Sequence, residues 1–428
     1  MGLSMRLMDA KAERLADRNF DVIVVGGGPA GASAAIHLAS VGARVLLLER
    51  KKFPREKLCG EFISPECLAH FARLGVAEAM ASAGGTDLRE TIFYGAGGRS
   101  VAVPSEWFNG ASRGGAACAL GLSRAEMDAR LLARAREAGA TVLEEAHAAG
   151  VVWEDGRVGG VRVRAQGGEE RVYRARVTVD ATGRTRALAR RVERGGRVRE
   201  GDAVANEKRR RLVAFKAHLE GARVGEGACE IYFYRGGYGG LSGVEGGLSN
   251  LCFIVAARDV RALGSDAGRV MREVVMTNRR AAETLKDARV SSAWLAVALE
   301  GFGRFRVAPA PGLLAAGDAA SFIDPFTGSG MLMALESGEL AATVTARHLA
   351  SVNAVSANGA SHGASNDAFD ALAGEYRALY RERFGARLRV CSYLRRAAFA
   401  PQPLVDLGVA ALGASAGLRR ALARATRG

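Results

Sequence analysis

The chain has 428 residues, enough for one large domain or two to three ordinary ones. It is 49% hydrophobic and 25% charged with only 9 Pro, which excludes a disordered tail and leaves material for a sizeable core. The formal charge is +15, but only seven of the 60 basic residues are Lys, and Arg is scattered among abundant Ala and Gly. That dispersal reads as compositional bias rather than a patch, so no nucleic-acid partner is expected.

In chain order, the polar, amphipathic N-terminus lacks the apolar core of a secretory signal. The apolar run Val22 to Val25 leads directly into Gly26-Gly27-Gly28-Pro29-Ala30-Gly31, a helical stretch from Ala32 to Val41, and a second β run, Val45 to Leu48, ending at Glu49. This is a compact βαβ unit carrying G-x-G-x-x-G between strand and helix, with an acid 18 residues beyond the last glycine. Gly26 permits the tight turn, Gly28 the approach of a pyrophosphate, and Gly31 close helix–sheet packing. Pro29 and Ala30 belong to the turn before the helix, whose N-terminus faces the phosphates, and Glu49 is placed for ribose hydroxyls. A dinucleotide site is the reading.

Ser123 is a plausible N-cap for an amphipathic helix over 124–138. From Thr141 the period changes to two, with an Asp155-Gly156 turn inside a β-meander that ends at Asp180. Strands dominate again from Leu212 to Val297, with one helix expected around 266–277. Leu313 to Ala316 is a further buried β run entering Gly317-Asp318, and Met331 to Leu349 reads as an apolar helix. Segment 351–368 reads as a loop and 369–428 as an Arg-rich helical region. The six cysteines are widely spaced and the six histidines form no ligand pairing, which fits reduced thiols, a cytoplasmic location and no metal site. No apolar run is long enough to span a bilayer.

Four motifs in order resemble a flavoprotein superfamily that includes aromatic hydroxylases of the p-hydroxybenzoate type, geranylgeranyl reductases and flavin-dependent halogenases. They are the fingerprint ending at Glu49-Arg50, Leu122-Ser123-Arg124, the Asp180-Ala181-Thr182-Gly183-Arg184 segment, and Gly317-Asp318 followed by Asp324-Pro325-Phe326-Thr327-Gly328-Ser329-Gly330. The resemblance spans about residues 20 to 350. It implies an α/β fold: a discontinuous Rossmann-like FAD-binding domain over 18–85, 112–200 and 305–350, and an antiparallel substrate sheet over 86–111 and 201–304. It assigns Arg124 to flavin contact and Asp318 to the flavin ribityl chain. Backbone N–H groups from Gly328 to Met331, at the start of the following helix, suit the negative edge of a reduced flavin.

Lys57-Leu58-Cys59-Gly60 resembles the geranylgeranyl-reductase-like and halogenase-like branches, which would place Cys59 near the flavin ring; its alternative role is a small buried hydrophobe. Halogenases carry a Trp-x-Trp-x-Ile-Pro motif, and none of Trp107, Trp153 or Trp294 has that neighbourhood. The Gly-Tyr-x-Trp-x-Phe-Pro element of prenyl reductases is reduced here to Gly237-Tyr238, leaving Tyr238 as a substrate-side candidate or a sheet-core aromatic. The expected activity is FAD-dependent oxidoreduction of a bulky lipophilic molecule, a prenyl chain, quinone or polyketide. C=C reduction leads, flavin-dependent hydroxylation is the alternative, and a non-catalytic lipid-binding protein on the same scaffold is the rival. No second nucleotide fingerprint is present, so the electron donor is NAD(P)H docking transiently or a partner protein. From Tyr376 onward eleven Arg face two acids around the apolar stretch 407–418, which suits either contact with an anionic membrane or a helical cap on the substrate sheet.

Overall fold

The computed structural model describes residues 19–108, 118–164, 168–195, 212–299, 302–357 and 366–427; the N-terminal amphipathic stretch lies almost wholly outside these. The apolar runs expected as strands pair into one sheet, in the order Thr141–Leu143, Val45–Leu48, Asn19–Val25, Glu170–Asp180, Arg157–Arg164, His147–Glu154, with Leu313–Ala315 also on Glu170–Asp180. The first four and Leu313–Ala315 run parallel, and the other two are antiparallel. Val22, Ile23 and Val24 are fully buried, as parallel strands covered on both faces require. Register places Val25 beside Leu48 and Asp180, and Asp180 beside Ala315. Four strands therefore end level, and Gly26, Glu49, Ala181 and Ala316 open one crevice at their carboxyl ends, where α/β sheets bind ligands.

The fingerprint helix Pro29–Ser40 packs on this sheet and against the long helix Gly330–Ala357. That helix pair is very close: a Cβ on Gly338 would lie 2.2 Å from the Ala30 carbonyl oxygen, and Ser33 donates its hydroxyl to the Leu335 carbonyl at 2.9 Å. The expectation of a loop from 351 is corrected, since the helix continues to Ala357 and the next begins at Asn366. Arg176 donates to the Asn353 side-chain oxygen at 2.7 Å, a tertiary anchor on this polar last stretch. The Arg124–Glu137 helix is capped as expected, Ser123 accepting from the Glu126 N–H.

A second, eight-stranded sheet is built on Leu212–Glu220, Ser249–Ala256, Gly237–Gly243, Ala228–Tyr234, Glu90–Tyr94 and Ser100–Pro104, antiparallel except for Ala228–Tyr234 beside Glu90–Tyr94. Three short helices within 257–285 cover one face, where the sequence suggested a single helix. Against the other face lie Phe322 and the C-terminal helices Asn366–Ala398 and Gln402–Ala414, which contribute Ala398, Val405 and Val409 to the packing. The fold is thus α/β, with a nucleotide-binding-type sheet, a largely antiparallel second sheet and a C-terminal helical segment.

Gly338→Val is expected to destabilise the protein by about 1–3 kcal/mol through overpacking of the helix crossing. Gly374→Ala, where an added Cβ meets nothing within 4 Å, is expected to stabilise it by about 1 kcal/mol. Urea denaturation followed by circular dichroism checks both signs.

Candidate active site

The crevice at the strand ends continues into a cavity of about 500 Å³ that reaches the second sheet. At its strand end the fingerprint turn is held by contacts that only glycine tolerates. Gly26 has φ +108°, with the place of a Cβ 2.3 Å from the Ala181 oxygen, and a Cβ on Gly31 would fall 1.8 Å from the Gly26 oxygen. Glu49 Oε2 accepts from Gly27 N–H at 2.8 Å and Oε1 from Lys51 N–H at 2.8 Å, which fixes the carboxylate at the cavity edge.

Of the residues singled out in the sequence, Gly26, Gly28, Pro29, Ala30, Glu49, Arg50, Cys59, Arg124, Gly183, Gly317, Asp318, Pro325, Gly328, Gly330 and Met331 line this one cavity. Gly31, Asp180 and Ser329 stand behind its wall. Asp180 is fully buried and accepts from Thr182, Leu188 and Ala189 backbone N–H groups and the Thr182 hydroxyl, so it braces the turn rather than facing the cavity. Ser329 is likewise buried, its hydroxyl 2.8 Å from that of Thr327. Tyr238 lies elsewhere, in a second cavity.

Positive charge surrounds the cavity beyond what the motifs predicted. The space over Gly28 is flanked by the Arg124 and Arg55 guanidiniums, 3.7 and 3.9 Å from where its Cβ would be. Both are held by Asp128: Arg124 bidentately at 2.8 and 2.7 Å, and Arg55 at 3.0 Å. Lys57 also faces the cavity. The protein enclosing it, with Arg124 and Arg55 nearby, lowers its pKa to about 8. Burial raises the Asp318 pKa against the opposing pull of Arg184, Lys57 and Arg124. Paired cations over a glycine turn, an acid held at one end and a Gly-rich helix start at the other fit the charges of a flavin dinucleotide.

A buried ionic cluster clasps the two sheets together beside Cys59. Glu61 is fully buried, in the left-handed region at φ 54°, and accepts from Lys216 Nζ and His218 Nε2 at 2.7 Å each and from the Arg124 N–H at 2.8 Å. Lys216 also donates to Glu56 at 2.5 Å. Burial acts to lower the Lys216 pKa, but Glu61 and Glu56 hold it above the usual lysine value. Glu56, Glu61 and His218 converge within the reach of one ion, and the Lys216 ammonium supplies the cation between the carboxylates. Residues 157 and 155 positions apart carry no sequence signal for this arrangement; the alternation of Lys216 and His218 on one strand face was its only trace.

The second cavity, of about 260 Å³, lies between the sheet and the C-terminal helices and is almost wholly apolar. Phe93, Ile231 and Phe233 form its floor, and Leu394, Val405 and Leu412 are part of its roof. Gly60, Phe62, Cys252, Ile254, Pro325 and Gly328 belong to the walls of both cavities, so the two adjoin at the Gly-rich end.

Because only protonated Lys57 attracts a phosphate, FAD affinity is expected to be full below pH 8 and to fall as pH rises through about 8. Titrating apoprotein with FAD by fluorescence quenching checks this, and Lys57→Met should weaken binding at pH 7 and flatten that limb.

A family model described as an FAD binding domain matches residues 19–351. Over 335 residues, 76% of this chain and 77% of the relative, the sequence is 29% identical to a digeranylgeranylglycerophospholipid reductase 2 of Methanopyrus kandleri. A shorter match, 46% identical over 57 residues and 13% of this chain (14% of the relative), is to a menaquinone reductase of Mycolicibacterium smegmatis. In structure, the chain superposes with a TM-score of 0.73 on a geranylgeranyl bacteriochlorophyll reductase-like protein of Thermoplasma acidophilum, covering 95% of this chain and 96% of that one at 23% identity. The chain belongs to the FAD-binding domain family that this model describes, and it is an FAD-dependent oxidoreductase.

Proposed function

We propose that the protein reduces a carbon–carbon double bond in a prenyl-bearing lipid, with reduced FAD as the hydride source. The observation that carries this reading is the apolar cavity opening onto the Gly-rich end of the cofactor cavity. A long hydrocarbon fits such a lining, most of whose area is apolar although Arg419 and Arg427 also border it. The names of the reductase relatives support the same substrate class.

In this reading the unit formed by 18–85, 112–200 and 305–350 holds FAD, and that formed by 86–111 and 201–304 shapes the substrate site. Arg55 and Arg124, which flank Gly28, would hold the pyrophosphate, Glu49 the ribose, Asp318 the ribityl chain, and the Gly328 to Met331 backbone the flavin edge. Cys59 sits at the wall with its Sγ accepting from the Glu61 N–H at 3.4 Å, and Tyr238 faces the substrate from the second cavity. Bound FAD supplies hydride transfer; the protein orients the chain against it and excludes water. The electron donor, NAD(P)H or a partner protein, docks transiently.

The C-terminal helices serve as roof and as membrane contact. Tyr393, Leu404, Leu407 and Leu418 are 48% to 66% exposed, beside exposed Arg389, Arg396, Arg420 and Arg424. Apolar side chains interleaved with Arg suit the headgroup region of an anionic bilayer, which would place the protein on the inner face of a membrane. No helix among the described residues is long and apolar enough to cross one.

Anaerobic, dithionite-reduced protein is expected to have its flavin reoxidised by a geranylgeranyl lipid and not by the saturated analogue, followed at the flavin absorbance. Incorporation of labelled O2 into the product would instead establish hydroxylation and end the reductase reading. Separately, the protein should co-sediment with phosphatidylglycerol vesicles at low salt, and Leu404→Asp with Leu407→Asp should abolish this. Unchanged sedimentation of that variant rules out the membrane contact.

A further inference from the structure

Behind the wall that the two cavities share at Pro325 stands a buried acid, Asp324, to which the cofactor motif it opens assigns no role. Asp324 is 3% exposed, and its Oδ1 accepts from the Phe326 N–H at 3.0 Å and, in a very short contact, from the Tyr238 hydroxyl. Its Oδ2 is buried with no partner among the described residues. Tyr238 is 5% exposed, lines the apolar cavity, and is packed by the rings of Phe326 and Phe399 at 5.4 and 5.8 Å. The next residue after Asp324, Pro325, forms wall in both cavities. Tyr238 thus borders the apolar cavity, and Asp324 stands behind it, next to the shared wall.

A carboxylate with one oxygen uncompensated in an apolar setting is costly, which favours the neutral acid. Burial raises the Asp324 pKa against the lowering effects of the Tyr238 hydroxyl, the Phe326 N–H and Arg395. Burial, and then Asp324 itself, pushes the Tyr238 pKa up, with Cys252 adding in the same direction. The titratable and charged groups facing the pair are thus Arg395 from the helix above and Cys252 from the neighbouring strand.

We propose that Asp324 and Tyr238 form the proton-donating pair of the reduction, Tyr238 facing the substrate and Asp324 replenishing it. This rests on the alkene-reducing reading above. One alkene carbon receives hydride from reduced FAD. At the adjacent carbon a C–H bond forms as the Tyr238 O–H bond breaks: the hydroxyl, which at rest donates to Asp324 Oδ1, turns to the substrate, and the carboxyl proton of Asp324, held on that same Oδ1, passes to the Tyr238 oxygen. The alkene gains one hydride and one proton, the flavin loses two electrons, and the Asp324 carboxylate regains its proton from water.

Two measurements on the FAD-loaded protein test the pair. Infrared spectroscopy at neutral pH should show a protonated carboxyl band that shifts in D2O and is missing from Asp324→Asn, whatever the substrate. In single turnover of dithionite-reduced protein with a geranylgeranyl lipid, Tyr238→Phe and Asp324→Asn should each slow flavin reoxidation about 10²- to 10⁴-fold. The double variant should be no slower than either, and FAD affinity should be unchanged. Tyr234→Phe, whose hydroxyl donates to the Ile254 carbonyl in the core, should react at the wild-type rate. Wild-type reoxidation by Tyr238→Phe, or absence of the carboxyl band, overturns the proposal. Should Asp324→Asn lose FAD through the Phe326 turn, Tyr238→Phe decides alone. If no lipid reoxidises the wild-type flavin, the alkene reading fails and the proton-transfer step falls with it, while a surviving band still establishes the neutral buried acid.

Discussion

Main chain touches main chain around the fingerprint turn, and the rest of the molecule is arranged about that contact. Gly31 approaches the Gly26 carbonyl, Gly26 the Ala181 carbonyl, and Gly338 the Ala30 carbonyl, all at distances no side chain allows. These approaches bring the first helix down onto the strand ends and the long helix onto the first. The Asp180 brace acts on the same region, since its four accepted hydrogen bonds shape the turn that forms the opposite lip. The crevice is therefore a product of packing closeness, and its shape depends in part on residues behind its wall, Gly31, Asp180 and Gly338.

That local origin explains what could be read from the sequence. Strand, glycine turn, helix and acid are contiguous, and each element's chemistry predicts its geometry. The charges that complete the site are not contiguous. Arg55 is gathered beside Arg124 by Asp128, with Glu49 at 3.8 Å on its other side, and Glu61 meets Lys216 and His218 only when the two sheets are assembled. The helix through 351–357 was hidden for a related reason: its small and polar residues resemble a loop, and its support includes a hydrogen bond from Arg176 on a strand of the first sheet. The Arg-rich C-terminus divided in a way composition does not reveal, with Arg387 and Arg427 buried and Arg396 and Arg420 on the outside.

The two cavities differ in electrostatic character although they share walls. One is ringed by guanidinium, ammonium and carboxylate groups, as a charged nucleotide requires; the other is mainly hydrocarbon, with the Tyr238 phenol and a few polar side chains such as Arg427 at its edge. Glu61, placed between them with its three donors, ties the loop bearing Cys59 and Gly60 to the second sheet, so neither cavity can change shape independently of the other. Its left-handed backbone is the local strain accepted for that coupling.

The smoothness of the apolar lining has a consequence for selectivity. A hydrocarbon wall distinguishes a chain from one a methylene longer by only about 1–3 kcal/mol, far less than a hydrogen-bonding site achieves. Between its scattered polar side chains such a wall presents no fixed point against which a repeating chain can be counted. An isoprenoid could be held at several registers of nearly equal energy, each bringing a different unit to the border with the cofactor cavity. Selection among its double bonds would then follow from where the polar end of the molecule is stopped, outside the cavity, rather than from the lining itself.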